Sequence, residues 1–136
     1  MKNLRLISYL LVVVSTSFFT SCTKESVNYP GSTKQVITGS SWSIDYYFAG
    51  QDKTAQFNSY KFSFVGNGTV TADDGTNTFN GNWSVVTDVN RKDVLRINLS
   101  EAHLQDLNSQ WTVDNPTTIG TLVIKNSGSE IHLRKL

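Results

Sequence analysis

Apolar and polar residues alternate with a period of two along most of the chain from Trp42 onward. In the first such stretch Trp42, Ile44, Tyr46 and Phe48 share one face, as expected for a half-buried β-strand. Short turn sequences rich in Gly, Asn and Asp separate most of the stretches. The pattern predicts eight strands, near residues 42–48, 60–64, 70–72, 79–85, 94–99, 111–113, 119–124 and 131–133.

Two segments depart from this alternation. Between Ser100 and Gln110, Leu104 and Leu107 are spaced as on one face of a short helix, which we predict near residues 100–110. Residues 34–38 are predicted to form a short turn or helix. Eight antiparallel strands with one apolar face fit an all-β, up-and-down barrel, because closure removes the exposed edges. A two-sheet β-sandwich built from the same strands is the alternative.

The N-terminal segment has the features of an export signal. Lys2 and Arg5 precede an uncharged and mostly apolar run from Leu6 to Phe19. This run is shorter than the roughly 20 residues that a membrane-spanning helix needs. A short apolar run behind positive charge is typical of a signal peptide, which we place at residues 1–21.

Thr20, Ser21 and Cys22 follow this run and resemble the lipobox of bacterial lipoproteins. The resemblance implies cleavage before Cys22 and lipidation of its thiol, so the membrane is the first predicted partner. Residues 22–33 are polar, contain Pro30-Gly31 and are predicted to form a tether ahead of a domain at 34–136. The residue after the cysteine is Thr23 rather than an Asp, which favours the outer membrane, on its periplasmic side or at the cell surface.

Charge and cysteine content exclude several classes of function. The full chain has 12 basic and 11 acidic residues, and loss of Lys2 and Arg5 with the signal leaves a net charge near −1. Such a chain has no basic field for nucleic acid. A single Cys excludes an internal disulfide and a cysteine-based zinc site.

The polar residues form no recognisable catalytic or cofactor-binding set. Asp73 and Asp74 precede Gly75 and are interpreted as turn residues rather than a catalytic carboxylate pair. His103 and His132 are far apart in sequence and are predicted to be surface histidines, not metal ligands. We therefore expect a protein that is not an enzyme and that carries no metal or other cofactor.

Aromatic residues are the remaining signal for binding. An apolar cavity could be lined by side chains on the predicted inner faces, namely Tyr46, Phe48, Tyr60, Phe62, Phe64, Phe79 and Trp83. The alternative is that a barrel this small is filled by its own side chains. Tyr47, on the opposite face from Tyr46, is predicted to be exposed and available for contacts.

The chain resembles the lipocalin-like lipoproteins of Gram-negative bacteria. The resemblance rests on the lipobox, on a Gly and a Trp at the first strand, on the aromatic second strand with its turn, on Gly-Asn-Trp, on an apolar cluster and on the final strand. These are, in order, Cys22, Gly39 to Trp42, Tyr60 to Val70, Gly81 to Trp83, Leu104 with Leu107 and Trp111, and Glu130 to Leu136. The resemblance implies a small lipocalin-like barrel with a Trp packed at its closed end, and membership alone does not imply a ligand. Our leading hypothesis is that the barrel binds a small apolar ligand or an envelope partner. The alternative function is inhibition of a periplasmic enzyme through a loop, for which Gln51–Asn58 and Asp88–Asp93 are the candidates.

Overall fold

A computed structural model describes residues 32–115 and 120–136 of the chain. It contains a closed antiparallel barrel in which consecutive strands pair and the first strand pairs with the last. The eight strands are β1 Ser41–Ala49, β2 Lys61–Phe64, β3 Thr69–Asp73, β4 Thr78–Thr87, β5 Asp93–Leu99, β6 Ser109–Asn115, β7 Thr121–Asn126 and β8 Ser129–Lys135. The predicted barrel is confirmed, and the sandwich is excluded because the strands form one closed sheet. The predicted signal peptide, Cys22 and the tether up to residue 31 lie outside the described residues.

In residues 32–115 and 120–136, three short helices accompany the strands. The predicted helices are present as α1, Thr33–Ile37, and as a 3₁₀ helix at Ala102–Leu107. A third helix, α2 at Thr54–Phe57, lies in the segment that the sequence suggested as a free loop. In the part of the chain that the structure describes, no helix has the length and apolar character needed to cross a bilayer.

The antiparallel order gives the barrel two distinct ends. One end carries α1, the β2–β3 turn and the β4–β5 loop, and we call it the α1 end. The opposite end carries α2, the β3–β4 turn, the 3₁₀ helix and the β7–β8 turn, and we call it the α2 end. The described chain begins at Ser32, on the α1 end.

Side chains from all eight strands fill the interior as a single core. Two of the three tryptophans attach this core to the covering helices through their indole N–H groups. Trp42 donates to the carbonyl oxygen of Ile37 in α1 at 2.9 Å, and Trp111 donates to that of Leu107 in the 3₁₀ helix at 3.0 Å. Each buried N–H is thereby satisfied, as a buried polar group requires. Both ends of the barrel are therefore covered by elements bonded to the core.

The alternation predicted for β1 is wrong beyond Ile44. The pairing of β1 with β8 shifts between Ile44 and Tyr46, so Asp45 is an extra residue that forms a β-bulge. The bulge moves the following residues to the opposite face. Tyr47 is 2% exposed and points into the core, whereas Phe48 is 38% exposed on the outside. The predicted inward orientation of Tyr46 and Phe48 and the predicted exposure of Tyr47 are therefore corrected.

Candidate functional site

The α2 end is closed by α2 and the 3₁₀ helix, which are bonded to each other and to β1. The Lys53 ammonium in front of α2 forms an ion pair with Asp106 of the 3₁₀ helix at 2.6 Å. The Tyr47 hydroxyl donates to the backbone carbonyl of Asp106 at 2.9 Å. Burial, and secondarily the nearby Asp106 carboxylate, raises the pKa of Tyr47, so the hydroxyl stays a donor at neutral pH.

Backbone contacts fix α2 along the edge of β1. Only two residue pairs join β1 to β2, so most of this β1 edge lacks a neighbouring strand. The segment leading into α2 takes its place, because the Lys53 amide donates to the Tyr47 carbonyl at 2.8 Å. The Tyr47 amide in turn donates to the Thr54 hydroxyl at 2.9 Å. The α2 segment is thus part of the wall of the barrel rather than a free loop.

An aromatic patch lies beside these covers. We define it as Tyr60, Phe79 and His103, which come from the start of β2, the start of β4 and the 3₁₀ helix. The His103 ring meets Phe79 edge-on with centroids 5.0 Å apart, and it lies 6.0 Å from Tyr60. Tyr60 also contacts Phe57 and Phe62, so the patch continues into the core. Its outer member, His103, is exposed, and Phe79 is half-buried.

The α2 end, which holds the aromatic patch, is rich in acidic residues. The α2 end carries five carboxylates and two lysines, namely Asp52, Asp73, Asp74, Glu101 and Asp106 with Lys53 and Lys61. Backbone N–H groups of Asn77 and Thr76 hold the pKa of Asp74 below its usual range, and Thr54 does the same for the pKa of Asp52. These two carboxylates therefore remain charged well below neutral pH. The pKa of Tyr60 is raised by burial and by the charge of Asp74.

The seven aromatic residues predicted to line a ligand cavity do not form one site; Phe79 belongs to the aromatic patch, and the other six are divided between the core and the outer wall. Tyr60, Phe62, Phe64 and Trp83 point inward and are 9%, 3%, 2% and 5% exposed, so they lie within the packed core. Phe64 and Trp83 pack edge-to-face near the α1 end, with centroids 5.4 Å apart. Tyr46 and Phe48 lie on the outer wall. None of the six lines an interior cavity among those found in the described residues.

The cavities found in this part of the chain are surface depressions. The largest, about 540 Å³, lies over the junction of β1 and β2 between Gly39–Ser41 and Ser63–Gly66. A second, of about 260 Å³, adjoins it at Gly66 and is bordered by Lys34 and Val85. A third, of about 250 Å³, lies on the outer wall of β4 and β5. These depressions are shallow compared with the enclosed pockets that bind small molecules.

A charged network crosses the outer wall of β6, β7 and β8. His132 stacks against Tyr46 with ring centroids 5.0 Å apart, and its Nε2 contacts the Glu130 carboxylate. Lys125 lies between Glu130, at 3.6 Å, and Asp114, at 2.7 Å. The pKa of Glu130 is lowered, mainly by the hydrogen bond with His132, and this effect outweighs the opposite effect of desolvation. The network consists of exposed ion pairs, which contribute little to stability because solvent screens them.

Sequence reasoning treated His103 and Phe79 separately and missed the patch that they form. The available signal was the position of His103 directly before the apolar Leu104 on a predicted helix. No sequence pattern indicates that this helix packs beside the start of β4. Within the described ranges, no three His, Cys, Asp or Glu side chains are grouped so as to hold a metal ion.

Comparison with known proteins identifies structures that share the fold of this chain. No protein-family model and no curated protein matches it. Among solved structures, it is similar to a duf4847 family protein from Bacteroides vulgatus, with a TM-score of 0.55, 13% identity and coverage of 76% of this chain and 96% of that one. It is also similar to a lipocalin-like protein from Bacteroides uniformis, with a TM-score of 0.52, 15% identity and coverage of 74% and 99%. For an uncharacterized protein from Bacteroides eggerthii, the TM-score is 0.51, the identity is 14%, and the match covers 71% of this chain and 98% of that one. At these identities the similarity establishes a lipocalin-like barrel fold.

Proposed function

We propose that this protein is a non-enzymatic lipoprotein that is anchored in the outer membrane through Cys22 and binds an envelope partner through the aromatic patch. The observation that carries the proposal is the patch itself. Tyr60, Phe79 and His103 form a partly exposed aromatic surface on the α2 end, whose carboxylates we call the rim, opposite to the end where the described chain begins. Partly exposed aromatic side chains surrounded by polar groups are typical centres of protein–protein interfaces.

The packed interior favours a partner over a small apolar ligand. A ligand inside the barrel would have to displace core side chains such as Leu104 and Trp111, both 0% exposed. It would also have to separate α2 from the 3₁₀ helix, which the Lys53–Asp106 ion pair holds together. A partner that binds on the outside requires neither change.

The charges of the α2 end indicate the chemistry of the partner. With five carboxylates and two lysines, this end has a net charge of −3. A protein surface that presents Lys or Arg around an apolar side chain would match both the rim and the patch. Inhibition of a periplasmic enzyme is a form of this function in which Gln51–Asn58, beside the patch, would contact the enzyme.

The lipid anchor is supported by the sequence alone and has a direct test. Cys22→Ala removes the thiol that would carry the lipid, so we expect the protein to move from the membrane fraction to the soluble fraction. Several acyl chains hold a protein on a membrane almost permanently, because each buried CH₂ contributes about 0.8 kcal/mol. Fractionation and mass spectrometry of the N-terminal peptide measure the change. An unmodified Cys22 in membrane-bound protein would refute the anchor.

The partner surface is tested by photo-crosslinking in intact cells. Benzophenone-alanine placed at His103 should give a discrete crosslinked product, because this position is exposed within the patch. The same group at Arg96, exposed on the outer wall of β5, is the matched control and should give no product. We expect Phe79→Ser to reduce the product at position 103 at least about tenfold, as the loss of a central interface aromatic does. Equal products at both positions would contradict the assignment of the surface.

A further inference from the structure

Exposed apolar side chains are concentrated on the α1 end. Among the described residues, five large hydrophobic side chains are exposed, and only Phe48 lies toward the α2 end. The other four are near the β2–β3 turn, the β4–β5 loop and the last strand, namely Val65, Val86, Val89 and Leu136. Val89 is 97% exposed, although an apolar side chain normally gains stability from burial.

The β4–β5 loop holds Val89 outward by a fixed backbone conformation. One Asp88 carboxylate oxygen accepts hydrogen bonds from the amides of Asn90 and Lys92, each at 2.8 Å. The Asp88 amide donates to the Lys92 carbonyl at 2.8 Å, which closes the loop. Arg91 adopts a φ of 61°, in the left-handed region that turns the chain back. Val89 thus forms the tip of an ordered loop, and Arg91 and Lys92 follow it directly.

The charge of this end is opposite to that of the α2 end. It carries four cations, Lys34, Arg91, Lys92 and Lys135, and two carboxylates in and beside the β4–β5 loop, Asp88 and Asp93. A third carboxylate, Asp114 near the end of β6, is paired with Lys125 and also faces Lys92. Asp88 and Asp93 accept hydrogen bonds from within the fold, and Asp93 accepts one from the Thr33 amide of α1 at 3.3 Å. The four cations form no ion pair among the described residues. The α1 end thus combines a net positive charge with an apolar tip.

We propose that the α1 end rests on the membrane, with Val89 inserted among lipid headgroups and the surrounding cations facing anionic ones. The inference rests on the proposed anchor at Cys22.

Ten residues separate Cys22 from Thr33. They span at most about 36 Å when fully extended. A nine-residue strand such as β1 is about 30 Å long, and the tilt of barrel strands reduces its extent along the axis to about 21–25 Å. Contact through the α2 end would therefore use roughly two-thirds of the connection to run back along the barrel, and it would bring a net negative end onto an anionic surface.

This orientation also determines which way the proposed partner-binding surface faces. With the α1 end on the membrane, the aromatic patch faces away from the lipid. The Asp88–Asp93 loop, one of the two segments considered for enzyme inhibition, then contacts headgroups instead of a soluble enzyme.

The test uses the lipidated protein in vesicles of phosphatidylethanolamine and phosphatidylglycerol. Lipidation consumes the thiol of Cys22, the only cysteine, so an introduced cysteine is the single site for a polarity-sensitive fluorophore. We expect the label at Val89→Cys to shift to the blue and to be shielded from an aqueous quencher. The matched control, Thr76→Cys in the exposed β3–β4 turn, should remain in water.

Each cation near an anionic surface strengthens association about fivefold. The double variant Arg91→Glu and Lys92→Glu should therefore lower the equilibrium constant for docking of the α1 end, measured from the shielded fraction of the label, by more than about twentyfold. Lys61→Glu on the α2 end should leave this constant unchanged.

The outcomes separate the orientation from the anchor. Protein that reconstitutes with the vesicles but leaves position 89 as accessible as position 76 would overturn the orientation and retain the anchor. Protein that never acquires lipid at Cys22 would refute the proposed function. Shielding of position 89 in native envelopes but not in these protein-free vesicles would assign the α1 end to a protein partner and would also overturn the proposal.

Discussion

Replacing Tyr47 by alanine is expected to lower the free energy of unfolding by about 3–5 kcal/mol, as for other buried aromatic side chains. Tyr47 is 2% exposed, packs against Phe57 and Trp111, and bonds the 3₁₀ helix through its hydroxyl. The same change at the adjacent Tyr46, which contacts His132 on the outer wall, should cost less than about 1 kcal/mol. Urea unfolding followed by tryptophan fluorescence measures both values.

This pair of variants tests the bulge at Asp45 directly. If β1 alternated without interruption, Tyr46 would point inward and Tyr47 outward, and the order of the two effects would be reversed. Tyr47→Phe separates packing from hydrogen bonding, because it leaves only the Asp106 carbonyl without its donor. We expect that variant to lose about 1–2 kcal/mol. Equal losses for the two alanine variants would contradict the described orientation of β1.

Gly81→Ala is expected to have the second large effect. A Cβ at this position would lie 2.3 Å from the carbonyl oxygen of Asn98 and 2.9 Å from the Cα of Leu99. Both atoms belong to the backbone of β5, so they can yield only if β4 and β5 move apart. Overpacking of this kind costs about 1–3 kcal/mol and is larger when the backbone must move. We expect the upper end of that range, which lowers Tm by on the order of 10–20 °C.

The matched control is Gly66→Ala. Nothing lies within 4 Å of a Cβ built on Gly66, and its φ is not in the left-handed region. Its Tm should therefore stay within a few degrees of that of the original protein. Calorimetry or circular dichroism compares the two variants under identical conditions. A Gly81→Ala protein as stable as the Gly66→Ala protein would mean that the strands are farther apart at Gly81 than described.

The number and type of the strands could be predicted because each alternating stretch is bounded by residues that favour turns. Leu95, Ile97 and Leu99 show this pattern in its simplest form and lie on the inner face as expected. The bulge could not be predicted. The stretch from Trp42 to Phe48 carries aromatic side chains in both registers after Asp45, so apolarity alone does not identify the inner face. The pairing of β1 with β8 determines which face of β1 points inward.

The α2 helix and the aromatic patch escaped prediction for a related reason. Residues 51–58 are mostly polar, and only Phe57 shows that the segment is anchored to the core. His103 and Phe79 lie 24 positions apart and meet only because the 3₁₀ helix folds over the mouth of the barrel. Local patterns indicate which residues face inward, but contacts between a cover and a strand depend on the closed barrel.

Pairing of the first strand with the last has a consequence for how the protein folds. The Ser43 hydroxyl meets the Arg134 carbonyl across 91 positions of sequence, within a pairing that joins seven residues of β1 to β8. Closing a loop of that length costs chain entropy before any contact compensates for it, so such topologies fold in milliseconds to seconds. The barrel cannot close until its final strand is present. A nascent chain therefore stays open through most of its synthesis, and its first strand keeps an unpaired edge until β8 has been made.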